Sequence, residues 1–388
     1  MEILIRKKIL HVVNVSYVLS YFIGDQFDYF KRRGVDFYVA CSPSEDLLEY
    51  AKLKEFTAFP LPIHKKITLV ADLRTIRSLV RIIKDHHIDI VVGHTPKGAL
   101  LAMTAARIAG VQRRIYFRHG LLYESSRGLK RGIFKYIERL TGSLATQVVC
   151  VSHSVLKLSN SERLSTPSKN LILHKGTCNG IDYEFTFNPQ LISEAQINAL
   201  RQQHGIKQQD RVVGFVGRLV NDKGIGELIN AWKILLAREK NIKLLLIGPP
   251  EKRDAIGDDL KGFIEAEKSI IYVGLVRDMA PYYRLMDVFI LPSRREGFPT
   301  VVLEASAMEI PVITTKATGC IDAILEDETG VFTSLIPSEM SEKMQMYLND
   351  QVLAKTHGRN GRQFIVDNFG QLSVWQEIGA RLFGCGVS

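Results

Sequence analysis

Two glutamates with a defined spacing are the first residues of this sequence that could do chemistry. Glu296 and Glu304 flank a predicted strand-to-helix junction: an apolar run at 287–290 predicts a buried parallel strand, and an apolar-periodic helix starts at Thr300, after Pro299. Helix starts at the carboxyl ends of parallel strands suit anions such as phosphate. Because a carboxylate repels a diphosphate, we expect both glutamates to accept hydrogen bonds from hydroxyls on its two sides, as in a sugar nucleotide.

Two cations follow another predicted strand. An apolar run at 212–216 ends at Gly217, and Arg218 and Lys223 come just after it. They could neutralise a departing diphosphate, with a contribution on the order of a few kcal/mol for each cation, or they could be an ordinary surface pair. The sequence has no Asp-x-Asp motif for a metal ion. We therefore predict that arginine and lysine take the place of a metal cation and that no cofactor is needed.

Two further predicted strands lead to histidines. The strands at 89–92 and 115–117 are followed by His94 and His119. Both side chains are thus expected at the edge of the sheet where ligands bind. A histidine at such a position is a candidate active-site residue, although a single histidine is more often a satisfied polar group.

Several stretches resemble the motifs of one enzyme family. The stretch from Glu296 to Glu304 resembles the E-x7-E motif of retaining GT-B glycosyltransferases of the family-four type, and 217–224 resembles their G-R-L-x-x-x-K-G segment. Three segments are similar to those of the subgroup that extends polyprenyl-diphosphate-linked sugars: His-Thr-Pro-Lys at 94–97, Arg-His-Gly at 118–120 and the stretch 22–26 around Gly24. The glycine run after the E-x7-E motif corresponds to Gly319, Asp322 and Gly330.

The resemblance implies roles for individual residues. His119 would hydrogen-bond the transferred sugar, Glu296 would hold its hydroxyls, and Glu304 would hold the ribose diol. The implied catalytic residues are His119, Arg218, Lys223 and Glu296. The implied donor-binding residues are Gly24, Gly217, Gly248, Val276, Gly297, Phe298, Pro299, Thr300 and Glu304. The implied acceptor-side residues are His94, Lys97 and Glu124.

Strand and helix patterns alternate through both halves of the 388 residues, which favours an α/β protein with two domains. We predict a GT-B architecture of two Rossmann-like, doubly wound parallel-sheet domains facing a cleft. The expected limits are 1–185 for an acceptor- and membrane-facing domain and 186–370 for the domain that binds the nucleotide sugar. A C-terminal helix within 371–388 is expected to cross back to the first domain.

The positive charge is concentrated in the first half. Residues 1–185 contain 28 Lys and Arg against 16 Asp and Glu, whereas the whole chain has a net charge of +10. This asymmetry indicates a polyanionic partner, and the aromatic-rich basic modules of nucleic-acid readers are not evident. Two helices, predicted at 72–84 and 129–140, carry basic stripes beside apolar ones, which is typical of membrane-surface helices but also of ordinary solvated faces. In the second helix the predicted cations are Lys130, Arg131, Lys135 and Arg139, and the predicted apolar stripe is Ile133, Phe134, Ile137 and Leu140.

Neither a membrane-spanning segment nor a secretory signal is predicted, and the five cysteines lack the spacing of a zinc site. A cytoplasmic protein bound peripherally to the inner face of the cell membrane is therefore expected. The oligomeric state stays open.

The function expected from these observations is retaining, metal-independent transfer of a hexose or N-acetylhexosamine. The expected donor is a nucleotide sugar, UDP-linked by resemblance to the subgroup, and the expected acceptor is a polyprenyl-diphosphate-linked saccharide of a capsule, an O-antigen or a glycoprotein glycan. Three alternatives remain: a GDP-sugar-dependent mannosyl- or fucosyltransferase, a sugar-nucleotide 2-epimerase and a non-catalytic sugar-binding scaffold. An epimerase would need acid and base carboxylates, and the two glutamates are assigned here to binding.

Overall fold

The computed structural model describes residues 6–64, 68–251 and 254–385. The chain forms two compact units, one of Met1–Gly180 with Gln371–Ser388 and one of Ile181–Gly370. Each unit has its own parallel sheet and its own hydrophobic core. The predicted α/β class with two Rossmann-like parallel sheets is therefore confirmed.

The first unit is built on a seven-stranded parallel sheet. Its strands are β1 (Lys7–Val12), β2 (Val35–Cys41), β3 (Thr57–Pro60), β4 (Ile90–Gly93), β5 (Arg113–Arg118), β6 (Gln147–Cys150) and β7 (Asn170–Leu171). Their order across the sheet is β3-β2-β1-β4-β5-β6-β7. Neighbouring residues in the inner strands are buried whichever face they point to, as for Ile9, Leu10 and Val91, which is expected of a parallel sheet covered on both sides.

The described residues of the first unit before residue 180 include seven α-helices: α1 (Val18–Phe22), α2 (Gln26–Lys31), α3 (Glu45–Lys54), α4 (Leu69–Asp85), α5 (Pro96–Ile108), α6 (Gly128–Leu144) and α7 (His153–Ser161). The start of α5 packs very closely on the end of β4. A Cβ atom on Gly93 would lie 2.7 Å from the Cα atom of Ala99. This close approach gives the short loop that carries His94 a defined course.

The second unit has a six-stranded parallel sheet. Its strands are β8 (Arg211–Val216), β9 (Ile242–Ile247), β10 (Ile270–Gly274), β11 (Val288–Leu291), β12 (Val312–Thr314) and β13 (Gly330–Phe332), and their order is β10-β9-β8-β11-β12-β13. The central strands are again apolar on both faces, and Leu245, Phe289 and Ile313 are fully buried.

The helices of the second unit include one anchored by a buried tryptophan. They are α8 (Glu194–Gln203), α9 (Ile225–Leu236), α10 (Asp258–Ala266), α11 (Ala280–Arg284), α12 (Thr300–Ala307), α13 (Pro337–Asn349) and α14 (Gln351–Asn368). Trp232 of α9 is fully buried, and its indole N–H donates to the hydroxyl of Ser269 at 2.9 Å. This bond satisfies the polar end of a side chain that is otherwise in the core.

The C-terminal segment completes the first unit. It consists of helix α15 (Gln371–Glu377) and a π-helical turn (Ile378–Phe383). The indole N–H of Trp375 donates to the carbonyl oxygen of Asn179 at 3.0 Å, and Lys7 Nζ donates to the carbonyl oxygen of Phe383 at 2.7 Å. Phe383 itself is buried and packs edge-on against Phe30. The segment therefore contributes both hydrogen bonds and apolar contacts to this core.

Each sheet has one point where the strand order reverses, between β1 and β4 in the first unit and between β8 and β11 in the second. In open parallel sheets a crevice opens there at the carboxyl ends of the strands. His94 follows β4, Arg218 follows β8 and Glu296 follows β11. The topology therefore places these three predicted site residues at the reversal points of their own sheets.

Most predicted elements are present, with ends shifted by a few residues. The strand predicted at 115–117 runs from Arg113 to Arg118, and the helix predicted at 129–140 runs from Gly128 to Leu144. Several short strands and polar helices were not predicted, among them β3, β12, α13 and α14. Helix α14 has glycines in its interior, and a Cβ atom on Gly358 would lie 2.1 Å from the carbonyl oxygen of Glu309. The glycines of α14 permit close packing, and they also weaken the helical pattern of its sequence.

Helix α6 exposes an apolar stripe that differs from the predicted one. Leu129, Ile133, Tyr136 and Leu140, which share one face at helical spacing, are all exposed. Phe134 and Ile137, which we had placed on the apolar stripe, are only half-exposed.

The basic residues of α6 also divide into two groups. Lys135 pairs with Glu162 at 2.8 Å, and Arg131 lies 3.9 Å from the same carboxylate. Lys130 is exposed. Arg139 donates to the carbonyl oxygen of Glu162 at 3.0 Å, so three of the predicted surface cations are engaged within the unit. No helix of the described residues is long and apolar enough to cross a membrane.

Helix α4 has the predicted basic stripe. Arg74, Arg77, Arg81 and Lys84 are all exposed, and the opposite face buries Leu79 and Ile83. The first turn adds exposed apolar side chains, namely Leu69, Val70 and Leu73.

Candidate active site

The loop between β11 and α12 is held on two sides. The Arg294 N–H donates to the carbonyl oxygen of Asp222 at 2.9 Å, and the Arg295 guanidinium pairs with the Asp222 carboxylate at 2.7 Å. On the other side the Glu296 N–H donates to the carbonyl oxygen of Thr318 at 2.9 Å. The backbone of Glu296 is therefore clamped between the turn after β8 and the segment after β12.

Glycines allow the strand ends of this unit to meet. Gly224 has φ 71°, and a Cβ atom there would lie 2.1 Å from the carbonyl oxygen of Pro292. Gly248, at the end of β9, has φ 134°, and its Cβ would lie 2.1 Å from the carbonyl oxygen of Gly217. A side chain at Gly224 would push the turn that carries Lys223 away from the Glu296 loop, and one at Gly248 would push the loop after β9 away from the segment that carries Arg218.

Lys223 and Glu296 form an ion pair, although they are 73 residues apart in the sequence. Their side chains are 16% and 13% exposed. Partial burial strengthens such a pair relative to one in full solvent. The structure therefore brings a predicted phosphate-binding cation into contact with the first glutamate of the motif.

Arg218 is also paired with a carboxylate, that of Glu251 in the loop after β9. The arginine side chain is 45% exposed, so this pair is weaker than a buried one. We did not predict Glu251 from the sequence. Both predicted cations of the second unit thus have a carboxylate partner supplied by a neighbouring strand end.

Glu304 lies one helical turn inside α12 and accepts a hydrogen bond from a buried tyrosine. The Tyr283 hydroxyl donates to Glu304 Oε2 at 2.8 Å and also lies 3.2 Å from the carbonyl oxygen of Val301. Burial raises the pKa of Glu304 to about 7, and the bond from Tyr283 acts in the opposite direction. The carboxyl group therefore changes its charge near neutral pH.

The start of α12 is formed by the predicted stretch. Pro299 precedes the first helical residue, Thr300, so that the missing N–H of proline costs no helical bond. Phe298 packs against Phe369, with 5.4 Å between the ring centroids. Gly297 is buried directly before it.

One predicted donor-side residue lies on a different loop. Val276 follows β10, at the end of the sheet order, and packs against the core of the second unit.

In the first unit, three histidine side chains form a continuous chain of hydrogen bonds. His11 Nδ1 lies 3.0 Å from His94 Nε2, and His94 Nδ1 lies 2.9 Å from His119 Nε2. His11 and His94 are 3% and 1% exposed, whereas His119 is half-buried. Burial lowers the pKa of His11 and of His119 to about 3, and burial together with the two neighbouring rings lowers the pKa of His94. All three rings are therefore neutral at neutral pH.

The outer ring of this chain is stacked on a phenylalanine. The rings of Phe22 and His119 lie 3.7 Å apart between centroids, with planes 8° from parallel. Phe22 ends helix α1, and Gly24 follows it with φ 52°. A side chain on Gly24 would meet the carbonyl oxygen of Ser20 at 2.8 Å. Gly24 thus shapes the turn next to Phe22.

The three residues expected on the acceptor side are in different environments. Both ring nitrogens of His94 are bonded to other histidines, so neither is available for a direct hydrogen bond to a ligand. Lys97 forms an ion pair with Asp72, and both side chains are largely buried. Glu124 is half-buried in the segment between β5 and α6.

Three residues that contribute to these arrangements were not identified from the sequence, namely His11, Tyr283 and Glu251, and Phe22 was included only as part of the stretch 22–26. His11 lies within β1 and was counted only as part of a strand. Its strand, β1, borders the reversal point of the sheet, and this position could have indicated a site residue. Over the residues that the structure describes, no group of three His, Cys, Asp or Glu side chains could hold a metal ion.

Comparison with known sequences identifies two family patterns in this chain. Residues 210–350 match the family described as "Glycosyl transferases group 1", and residues 22–169 match "Glycosyltransferase Family 4". The two matches fall on the second and first units, respectively.

Two curated relatives align over most of their length. The chain is 31% identical over 374 residues to the capsular polysaccharide biosynthesis glycosyltransferase CapM of Staphylococcus aureus, covering 96% of each chain. It is 24% identical over 349 residues to the UDP-Gal:alpha-D-GlcNAc-diphosphoundecaprenol alpha-1,3-galactosyltransferase of Escherichia coli, covering 89% of this chain and 88% of the relative.

A solved structure supports the fold. HepE from Anabaena, determined in complex with UDP and glucose, superposes with a TM-score of 0.80 at 19% identity, over 97% of this chain and all of that chain. The identity is too low to show more than the fold. The similarity to CapM, at more than 30% over nearly the whole length, together with the two family matches, shows that this chain belongs to the group 1, family 4 glycosyltransferases.

Proposed function

We propose that this glycosyltransferase moves a hexose or N-acetylhexosamine, with retention of configuration, from a UDP-sugar to a polyprenyl-diphosphate-linked saccharide. The observation that carries the proposal is the arrangement at the reversal point of the second sheet. There Lys223 pairs with Glu296 in the loop that leads to Glu304, and Arg218 follows β8, the strand next to β11. Two cations beside two carboxylates suit a diphosphate with hydroxyls on either side.

In this proposal side chains of the protein stabilise the transition state. Arg218 and Lys223 bind the diphosphate and stabilise the negative charge that develops on it as the glycosidic bond breaks. Glu296 accepts hydrogen bonds from the transferred sugar, and Glu304 accepts them from the ribose. His119 hydrogen-bonds a hydroxyl of the transferred sugar, and the departing phosphate takes the proton of the acceptor hydroxyl. No metal ion is needed because the two cations supply the positive charge.

The choice of donor and acceptor is supported by the relatives. The Escherichia coli relative is named for a UDP-galactose donor and a diphosphoundecaprenol-linked acceptor, and the Staphylococcus aureus relative for capsular polysaccharide biosynthesis. We propose the same class of donor and acceptor for this chain, in the assembly of a surface polysaccharide.

The activity can be tested with purified protein, a panel of UDP- and GDP-sugars and a short-chain polyprenyl-diphosphate-linked N-acetylglucosamine. We expect UDP release only when the acceptor is present, and NMR of the product should show the same anomeric configuration as the donor. Hydrolysis without acceptor, formation of an epimerised nucleotide sugar, or an inverted product would contradict the proposal.

We further propose that the first unit docks on the anionic inner surface of the cell membrane. Support comes from the excess of positive charge in residues 1–185 and from the exposed stripe of α6, formed by Leu129, Ile133, Tyr136 and Leu140. The exposed Lys130 and the basic face of α4 add charge. Each basic residue near such a surface contributes about 1 kcal/mol, and the attraction decays over about 8 Å at physiological salt.

Vesicle co-sedimentation tests this surface. We expect binding to phosphatidylglycerol vesicles, little binding to phosphatidylcholine vesicles and release by high salt. Replacing Leu129 and Tyr136 by serine should weaken binding, whereas Leu53→Ser, which changes an equally exposed leucine on α3, should not. Equal binding to both kinds of vesicle, or unchanged binding of the α6 variant, would show that α6 is not the docking surface.

A further inference from the structure

The chain of three histidines in the first unit has a feature that a set of independent polar residues would lack. Each of its two hydrogen bonds, 3.0 Å between His11 and His94 and 2.9 Å between His94 and His119, joins two ring nitrogens. A neutral imidazole has one N–H donor and one bare acceptor nitrogen. Because both nitrogens of His94 are engaged, the protons of all three rings must be aligned in the same direction.

Only two alignments satisfy both bonds. In the first, His11 and His94 donate from Nδ1, which leaves the third proton on Nδ1 of His119. In the second, His119 and His94 donate from Nε2, which leaves the third proton on Nε2 of His11. The choice between them therefore decides whether His119 Nδ1 is a donor or an acceptor.

The surroundings of His11 favour the first alignment. Its Nε2 atom is buried and has no hydrogen-bond partner among the residues that the structure describes. The neighbouring rings are Phe27, Phe37 and Phe383, with centroids 5.6 to 6.4 Å from the imidazole. A buried N–H without an acceptor is rarer in proteins than an unfilled acceptor, and a lost partner costs roughly 1–3 kcal/mol. The proton is therefore better placed at the other end of the chain, on the half-buried His119.

The ring of His119 is also fixed in orientation. Phe22 stacks on it at 3.7 Å between centroids, and the bond to His94 sets its rotation within that plane. Burial keeps the pKa of the ring low, so the ring does not become a cation at neutral pH. His11, His94 and Phe22 thus fix the direction in which Nδ1 of His119 can form a hydrogen bond.

We propose that His11 and His94 are positioning residues that hold His119 in the Nδ1–H form, so that it offers a single, directed hydrogen-bond donor to an oxygen atom of the transferred sugar. Neither positioning residue touches the substrate. The role of His119 towards the sugar rests on the function proposed above, but the state of its ring does not. The two can therefore be tested separately.

The ring state is tested first, by NMR of the full-length protein labelled with ¹⁵N at histidine. Two-bond ¹H–¹⁵N correlations distinguish a protonated from a bare ring nitrogen, and His119→Asn identifies the signal. We expect Nδ1 of His119 to be protonated and Nε2 to be bare at neutral pH. An Nε2–H form of His119, or a doubly protonated ring, overturns the proposal whether or not the protein transfers sugar.

Variants of His94 test the consequence for transfer. His94→Leu removes the donor to His119, and we expect a loss of about tenfold in kcat with little change in the Kd for UDP, which the second unit binds. This is less than the ~10²–10³ lost when an active-site donor itself is removed. His94→Asn keeps an N–H donor and should recover part of the loss. Equal kcat values for the leucine and asparagine variants overturn the proposal.

His11→Phe keeps an aromatic ring and removes the first donor of the chain. We expect a mixture of tautomers at His119 in its NMR spectrum and a smaller loss in kcat. The matched control is His357→Phe, which removes another buried histidine, bonded to Tyr347 at 2.7 Å in the second unit. The control should leave the His119 signals unchanged. If His11→Phe also leaves them unchanged while remaining folded by its thermal unfolding, His11 has no part in setting the tautomer.

Discussion

The two units place different kinds of polar groups at the reversal points of their sheets. In the first unit the groups are neutral rings, buried and bonded to one another, as in His11 and His94. In the second unit they are charged side chains in ion pairs, as in Lys223 with Glu296 and Arg218 with Glu251.

The same topology can thus support two kinds of chemistry. Neutral rings give direction to one hydrogen bond without adding charge, whereas ion-paired cations provide charge that an anionic ligand can recruit. The second unit should accordingly respond strongly to charge-removing substitutions, to pH near neutrality and to carboxylates that compete with phosphate.

The largest expected effect is that of Arg218→Ala. We expect turnover to fall by about ten- to a thousandfold, with a smaller change in nucleotide affinity, because a cation that acts on developing charge is lost. Steady-state kinetics of acceptor-dependent UDP release would measure it. The control is Arg238→Ala, which removes an exposed arginine after α9. If both variants have wild-type kinetics, the charged second unit is not the site of phosphate chemistry.

A second test uses Glu304, whose pKa burial raises to about 7. In the proposed function the ionised carboxylate accepts hydrogen bonds from both ribose hydroxyls, so the affinity for a UDP-sugar should increase severalfold as the pH rises through about 7. We expect Glu304→Gln to lose this pH dependence and to bind about tenfold more weakly at high pH. Calorimetry with UDP-glucose, whose diphosphate does not titrate near neutrality, is suitable. A pH dependence that persists in the glutamine variant would assign it to another group.

The raised pKa of Glu304 should also make the free energy of unfolding depend on pH, which can be measured without substrate. Because the folded protein binds the Glu304 proton more tightly than the unfolded chain, this group stabilises the fold below about pH 4.5, and that contribution is lost as the pH rises through about 7. Glu304→Gln should remove this part of the pH dependence of the free energy of unfolding. An unchanged dependence in urea unfolding would indicate that Glu304 has an ordinary pKa.

Replacing Glu251 should have a smaller effect and should increase, not decrease, the affinity for UDP. Its carboxylate pairs with Arg218, so a diphosphate that binds Arg218 as proposed would have to compete with it. Since exposed pairs are worth about 1 kcal/mol or less, Glu251→Gln should tighten UDP binding by up to about fivefold. Glu265→Gln, which removes an exposed carboxylate on α10, controls for net charge. Weaker UDP binding in the Glu251 variant alone would mean that Glu251 supports the site instead of competing for it.

The smallest expected effect is that of metal removal. With Arg218 and Lys223 as the positive charges, sugar transfer should persist in excess EDTA at an unchanged rate. Loss of activity that magnesium or manganese restores would show that the cations of the second unit do not suffice.

The sequence was most informative where a strand ends and a helix begins. The run at 287–290 and the helical pattern from Thr300 predicted β11 and α12, and hence the position of Glu296 in the loop between them. Local signals sufficed there because strand hydrophobicity, proline and glycine act within a few residues of one another.

It was less informative about the faces of a helix. For α6 the alternation of basic and apolar residues was recognised, but the exposed side was assigned incorrectly in part. Which side of the helix faces inward depends on Glu138, which is buried in an ion pair with Arg118 at 3.1 Å. A pattern of apolar positions alone does not predict a charged residue on the inner face of the helix. The partner of Glu138, Arg118, lies on strand β5, far from it in the sequence.

By itself, then, the sequence determined the alternation of strands and helices and the residues that follow each strand. Those depend on hydrophobic periodicity and on turn residues, which are local properties of the chain. Only the tertiary structure decided which of these residues meet: Lys223 with Glu296, Tyr283 with Glu304, and His11 with His94. These contacts join different strands and helices, and they depend on strand order and on close glycine packing, which a sequence does not display.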